Sequence, residues 1–421
     1  MIMIALIFIL GYLVITLEHA FNLNKAATAL LTGVLCWVAY LFNGNDAHLV
    51  SEQLMEHLGE VSGILFFLLG AMTVVELIDA HDGFRIITNA IKTTNKRKLL
   101  WIIGLLTFFL SAILDNLTTS ILMVSLLRTL IKDKNDRWIF LGIVIIASNA
   151  GGAWSPIGDV TTTMLWIGGQ ITSANIILKL FIPSLVCLVV PLILISFKMK
   201  GNISDKIEAE IKESPANKFS RNVIFFTGIG TLLFIPVFKS VTHLPPFMGM
   251  LLGLGVLWMV SEIIHKDKDT EEKDALSVVY ALRKVDTPSI LFFLGILIAI
   301  SALQSSGLLT QFATQLDNTF SNKHIIVTII GLLSAIVDNV PLVAASIGMY
   351  DLNQYPTDHS FWEFLAYMTG TGGSALIIGT AAGVAVMGME KITFFWYLKK
   401  MSLLALVGCL SGALVYITFF T

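Results

Sequence analysis

The sequence predicts an all-α polytopic membrane protein built as two inverted-topology repeats, each with about five transmembrane helices, a re-entrant hairpin and a broken helix. Three observations carry that expectation. The composition is 56% hydrophobic and only 13% charged over 421 residues, with a mean hydropathy of +0.82, too apolar for helices that each keep a polar face in water. The hexapeptide Ser111-Ala-Ile-Leu-Asp-Asn116 returns as Ser334-Ala-Ile-Val-Asp-Asn339, each inside an apolar run. Basic residues flank the two copies with opposite asymmetry.

A bilayer crossing needs about 20 apolar residues. That length places ten crossings near 2–17, 26–42, 61–79, 138–167, 174–197, 222–239, 247–264, 288–303, 361–389 and 401–420. The first reads as a retained span, because no basic flank precedes it and no small-residue cleavage signal follows. Residues 99–131 are apolar but break at Asp115-Asn116, and 323–350 break at Asp338-Asn339. Each is too short for two crossings and has its polar pair at the middle, as in a re-entrant hairpin.

Lys92, Lys96, Arg97 and Lys98 precede the first hairpin, and Arg128, Lys132, Lys134 and Arg137 follow it. Both its ends are therefore expected on the cytoplasmic side. The second hairpin has Asp317 before it and Asp351, Asp358 and Glu363 after it, with Lys323 the one basic residue nearby, and should open outward. Loops 198–221 and 265–287 are rich in Lys and Arg, whereas 43–60 has neither. This pattern places both termini outside.

The copies keep a nearly constant spacing: Asp115 to Asp338 is 223 residues, and Gly151-Gly152 to Gly372-Gly373 is 221. The chain thus divides into a first repeat over 1–200, a cytoplasmic linker over 201–221 and a second repeat over 222–421. An odd number of crossings per half inverts the second copy. The Gly-Gly pairs lie in crossings 138–167 and 361–389, and in each a further glycine follows after five residues, Gly158 or Gly379. With Pro156 they interrupt those helices, which a membrane tolerates only where the freed backbone is buried in protein or lines a polar cavity.

The side chains at these breaks are oxygen-rich. Ser111, Asp115, Asn116, Thr118 and Thr119 mark the first hairpin, and Asp159, Thr161 and Thr162 the first broken helix. Ser334, Asp338, Asn339, Thr371 and Ser374 supply a supporting set from the second half. Oxygen donors suit hard cations, and no Lys or Arg lies in these motifs to neutralise an anionic cargo. A charged Asp at the centre of a span costs roughly 2.5–3.5 kcal/mol, so such an acid favours a bound proton or a bound cation. Competition between the two at one carboxylate is the minimal device for exchange. The same Asp residues also suit N-capping, and both roles can coexist. Glu76 and Asp79, near the inner end of the third span, read as interface anchors.

Other chemistries find little support. No long basic block exists for nucleic acid. Cys36, Cys187 and Cys409 are far apart in apolar stretches, as buried thiols are. No nucleophile stands with a base, so an enzyme is not expected. No cofactor is expected either.

The segments 111–119 and 149–166, together with Ser334 to Asn339 and Thr369-Gly-Thr-Gly-Gly373, resemble the NhaD family of bacterial sodium/proton antiporters. That family belongs to the ion transporter superfamily, which also holds arsenite pumps and dicarboxylate/sodium symporters. The resemblance covers essentially the whole chain. It implies exchange of cytoplasmic Na⁺ or Li⁺ for external H⁺, extrusion of alkali cation under alkaline or saline conditions and a homodimer in a bacterial inner membrane. It also implies elevator-like movement of a hairpin-bearing domain and Na⁺ held at Asp115, Asn116, Asp159 and Thr161. Dicarboxylate carriers of the superfamily have Ser-Asn-Thr at the hairpin tips where this chain has Asp-Asn. The halves also differ: Asp159 aligns with Thr380 and Thr161 with Ala382, which makes the expected site asymmetric. A carboxylate or arsenite carrier on the same fold, or a cation channel, are the alternatives.

Overall fold

Backbone groups in a bilayer must find their hydrogen bonds within their own segment, and the apolar runs are accordingly helical in the computed structural model. It describes residues 1–16, 23–44, 46–88, 91, 93–203, 216–266, 268–320 and 322–421. Lys92 and residues 204–215 of the linker lie outside the described residues. Among the described residues, eight helices are long and apolar enough to cross a membrane. The protein is an all-α polytopic membrane protein.

The first half runs α1 (Ile2–Thr16), α2 (Lys25–Phe42), α3 (Ala47–Ala80), α4 (Lys96–Leu114), α5 (Asn116–Leu130), α6 (Lys134–Ala153), α7 (Val160–Ile167) and α8 (Ser173–Ser196). The second begins with α9 (Lys218–Thr242), α10 (Pro246–Ile264), α11 (Val278–Lys284), α12 (Thr287–Ser305) and α13 (Leu308–Thr319). It continues with α14 (Lys323–Leu333), α15 (Asn339–Met349), α16 (Ser360–Gly372), α17 (Ala381–Glu390), α18 (Phe394–Lys400) and α19 (Ser402–Phe419). The expected interruptions are present: α4 gives way to α5 at Asp115, α6 stops before α7, α14 is separated from α15, and α16 from α17.

Several stretches outside the expected crossings are helical: 47–60, α11 within the expected loop 265–287, and α13. The third span, expected at 61–79, is the 34-residue α3, because Asp46 caps it by accepting from the His48 and Leu49 amides at 2.8 and 3.2 Å. Its first turns are too polar for a hydropathy criterion to register. The amphipathic α13 escaped the same criterion.

The helices pack in two clusters. In one, α2 lies along α1 and α12, α3 along α10 and α12, and α9 along α10. In the other, α4 and α5 pack on α6, α14 and α15 on α16, and α8 on α19. Within this cluster α5 meets α17, and α15 meets α7. Lys239 on α9 joins the clusters: its ammonium donates to the Trp166 carbonyl and sits 4.6 Å over the Trp166 ring at the end of α7. Just past α3, buried His81 binds the Leu77 carbonyl through Nδ1 (2.7 Å) and faces His265 Nε2 at 2.8 Å through its own Nε2.

Candidate functional site

The breaks bring the polar side chains together because each break ends in an N-cap. Asp159 caps α7: its Oδ1 accepts from the Thr161 amide (2.9 Å) and hydroxyl (2.7 Å). Its Oδ2 accepts from Asn116 Nδ2 at 2.7 Å, a bond that ties the first hairpin to the first broken helix. Asn116 Nδ2 also donates to Asn149 Oδ1 (3.0 Å), and Asn149 Nδ2 reaches into the second half, to the hydroxyls of Ser374 (2.9 Å) and Thr380 (3.1 Å). Asp159, Asn116, Asn149, Ser374 and Thr380 are all buried. The caps and the polar cluster are therefore one structure.

Asp115 caps α5, accepting from the Thr118 amide and hydroxyl, both at 2.8 Å. Its φ of 79° and ψ of 162° lie in a region that side-chain-bearing residues rarely adopt, a strain of about 1–3 kcal/mol that the surroundings must hold in place. Asp338 caps α15 through the Val340 amide at 3.2 Å, with an ordinary φ of −47°. Asp115 and Asp338 both lie close enough to Asp159 for their charges to repel its own. Three acids thus share one region, and bringing them together is unfavourable unless protons or cations neutralise them. A cavity of about 40 Å³ adjoins Asp115 and Asn116, bounded opposite by Phe67, Leu68, Met72 and Phe293 of the other cluster.

The remaining expected residues divide by their partners. Ser111 donates to the Ser148 carbonyl (2.6 Å), Ser334 to the Gly331 carbonyl (2.6 Å) and Thr371 to the Tyr367 carbonyl (2.7 Å), so these hydroxyls brace the hairpins and the second broken helix. Among the described residues the buried Thr119 and Thr162 hydroxyls and the Asn339 amide nitrogen have no hydrogen-bond partner. Two residues of the network, Asn149 and Thr380, were not singled out as ligands in the sequence. Asn149 sits two residues before the Gly151-Gly152 pair and Thr380 at the place of Asp159, which is the signal that marks them.

The glycines allow this closeness. A Cβ on Gly151 would lie 2.2 Å from the Phe108 carbonyl oxygen, and one on Gly372 would lie 2.2 Å from that of Gly331. Hairpin and broken helix meet backbone to backbone in both halves.

A family model described as citrate transporter, CitMHS, matches residues 4–362. The chain belongs to this transporter family. It is similar to sodium/proton antiporter 1 of Arabidopsis thaliana, 48% identical over 98% of this chain and 71% of that protein. Sodium/proton antiporter 2 of the same plant is 46% identical over 98% of both chains. The Na(+)/H(+) antiporter NhaD of Vibrio cholerae is 31% identical over 94% of this chain and 87% of its own. The Alcanivorax borkumensis YdaH transporter shares the fold, with a TM-score of 0.62 over 94% of this chain and 98% of that one at 11% identity. The expected kinship with NhaD antiporters is thereby established, and so is a transporter rather than an enzyme. Plant relatives stand beside bacterial ones, so the likeness establishes a multi-pass membrane protein and not a bacterial inner membrane.

Proposed function

We propose that the protein is a secondary transporter that exchanges cytoplasmic Na⁺, or Li⁺, for external H⁺ at Asp115 and Asp159. The observation that carries this reading is the Asp159 carboxylate, buried in a helix break and bonded to an amide and a hydroxyl, with no Lys or Arg among its partners in the described residues. A hard cation can replace a proton there by adding oxygen ligands from Asn116, Thr161 and Asp115, and one charge then expels the other. The names of the sodium/proton antiporters support the same choice of ions.

In this reading the halves 1–200 and 222–421, joined by 201–221, are inverted repeats with re-entrant hairpins at α4–α5 and α14–α15. Their matched order of helices, matched caps and matched glycine contacts support it. The hairpin-bearing cluster moves in an elevator-like manner against the cluster of α1–α3, α9, α10 and α12, and two copies associate as a homodimer.

The family description favours a second reading, a carrier of citrate-like anions. One experiment separates the two: dissipation of a preset ΔpH in proteoliposomes on adding NaCl, LiCl, KCl or sodium-free citrate. Cation exchange predicts a response to Na⁺ and Li⁺ without citrate. A response to citrate alone would replace the proposal with the anion carrier.

A further inference from the structure

Two larger cavities lie between the clusters, at opposite ends of the molecule. The first, about 270 Å³, is bounded by Met72, Glu76 and Asp79 of α3, by Leu117 and Thr118 of α5, and by Asp286 at the head of α12. It lies at the end that carries Arg128, Lys284 and the basic loop 265–287, hence at the cytoplasmic end by the distribution of Lys and Arg. The second, about 370 Å³, is bounded by His57 and Glu60 of α3, Gly168 after α7, Ser301 and Gln304 of α12, and Ala344 of α15.

The two are counterparts in sequence. Met72, Val75, Glu76 and Asp79 bound the first cavity, and Leu297, Ile300, Ser301 and Gln304, each 225 residues on, bound the second. Ile121 in the first matches Ala344 in the second at the hairpin spacing of 223. At these matched positions the outer cavity has a hydroxyl and an amide where the inner one has two carboxylates; the inner lining also holds Lys284 and Asp286, and the outer one His57 and Glu60. Among the described residues neither the Glu76 nor the Asp79 carboxylate has a hydrogen bond or salt bridge, whereas the Asp286 carboxylate is occupied by Ser289 as a helix cap.

The inner cavity also adjoins the ion site. It shares Met72 and Leu117 with the 40 Å³ cavity beside Asp115, and its lining residue Thr118 is the one that holds the Asp115 carboxylate. The outer cavity shares no lining residue with that space.

We infer that the inner cavity is the cytoplasmic access route to Asp115, that the structure is open to this side, and that Glu76 and Asp79 gather cations at its mouth. Resting on the exchange reading above, the inference adds which face is open and which residues select the cargo. Charges in a low-dielectric cleft raise the local concentration of counter-ions and do so less as salt rises. Glu76 and Asp79 should therefore set the apparent affinity for cation at the inner face and leave the maximal rate alone.

Inside-out and right-side-out membrane vesicles give access to each face. Glu76→Gln with Asp79→Asn should raise the apparent KM for Na⁺ at the inner face about three- to ten-fold, with the outer KM and the maximal rate unchanged. Ser301→Glu should lower the outer KM. An unchanged inner KM, or an equal rise at both faces, would overturn the role of the two acids. Labelling with a membrane-impermeant maleimide tests the route itself, against a background in which Cys36, Cys187 and Cys409 are buried. Leu117→Cys should react from the inner face alone. No reaction, or reaction from the outer face, would remove the route, whether or not the chain exchanges ions. Wild-type vesicles that label in this way and show no Na⁺-driven proton movement would instead overturn the exchange reading and, with it, the cargo assigned to the route.

Discussion

The two hairpin tips share a hexapeptide, differing only at Leu114 and Val337, yet they fold differently. Asp115 holds a strained φ of 79°, whereas Asp338 sits at −47°. At the first tip Asn116 donates to Asp159 and Asn149; at the second, Asn339 Nδ2 is buried without a partner among the described residues. The cause lies outside the hexapeptide. The first tip meets the Asp159 carboxylate through Asn116, whereas the hydroxyl of Thr380, at the place matching Asp159, bonds Asn149 instead of the second tip. The Asp159 carboxylate gives the Asn116 amide an acceptor that Asn339 lacks among the described residues. The local sequence sets a cap at both tips, and the partner across the gap decides what the tip does.

Removing the charge from each tip breaks the comparison most sharply. Asp115→Asn and Asp159→Asn should each lower Na⁺-driven exchange on the order of 100-fold, the scale of losing one member of a buried charge cluster, with folded protein still in the membrane. Asp338→Asn should cost less than about 10-fold. ΔpH dissipation in proteoliposomes at equal protein content checks all three, and equal losses at the two tips would mean a symmetric site.

The amides give the next contrast. Asn116→Ala removes a donor to a carboxylate, worth about 1.5–3 kcal/mol, so the apparent KM for Na⁺ should rise about 10- to 100-fold. Asn339→Ala discards a donor with no partner and should leave the KM within about two-fold. A comparable rise in both would show that Asn339 binds cation in another state of the cycle.

The glycines should show no contrast. Gly151→Ala and Gly372→Ala each press a methyl group against a carbonyl oxygen and should destabilise the protein by about 1–3 kcal/mol, read as matching falls in thermal unfolding temperature in detergent. A fall in one alone would undo the structural equivalence of the halves.

A smaller contrast lies where α3 and α12 end, at His81 and at Ser306, also 225 residues apart. Burial pulls the His81 imidazole from 6.5 down to about 4. The folded protein therefore binds this proton less readily than the unfolded chain. The resulting stability is fully present above pH 6.5 and is lost as pH falls toward 4. Thermal unfolding of the wild type should thus come at lower temperature at pH 5 than at pH 7.5, and His81→Ser should narrow that difference.

Much of this was legible in the sequence. The helical class, the breaks at Asp115, Asp338, Gly152 and Gly373, and the oxygen-rich set around Asp159 followed from apolar length, repeated motifs and the cost of acids at depth. The extension of α3 over 47–60 and the helix α13 were not legible, since their stability comes from caps and from packing one face, which a count of apolar residues does not register. The bridge from Asn149 to Thr380 was not legible either. It spans 231 residues of sequence, and only the folded chain brings its ends together.

The backbone contacts at Gly151 and Gly372 carry a mechanical consequence. Where a layer of side chains separates neighbouring helices, those side chains can change rotamer and let one helix slide past another. Where α4 meets α6 at Gly151, and α14 meets α16 at Gly372, no such layer exists: a carbonyl oxygen rests against a bare Cα, and a slip of one residue would drive a side chain into it. Each pair is a welded joint. Any bending during a transport cycle must be taken up elsewhere, which leaves the spacing between hairpin tip and helix break as constant as a gauge block.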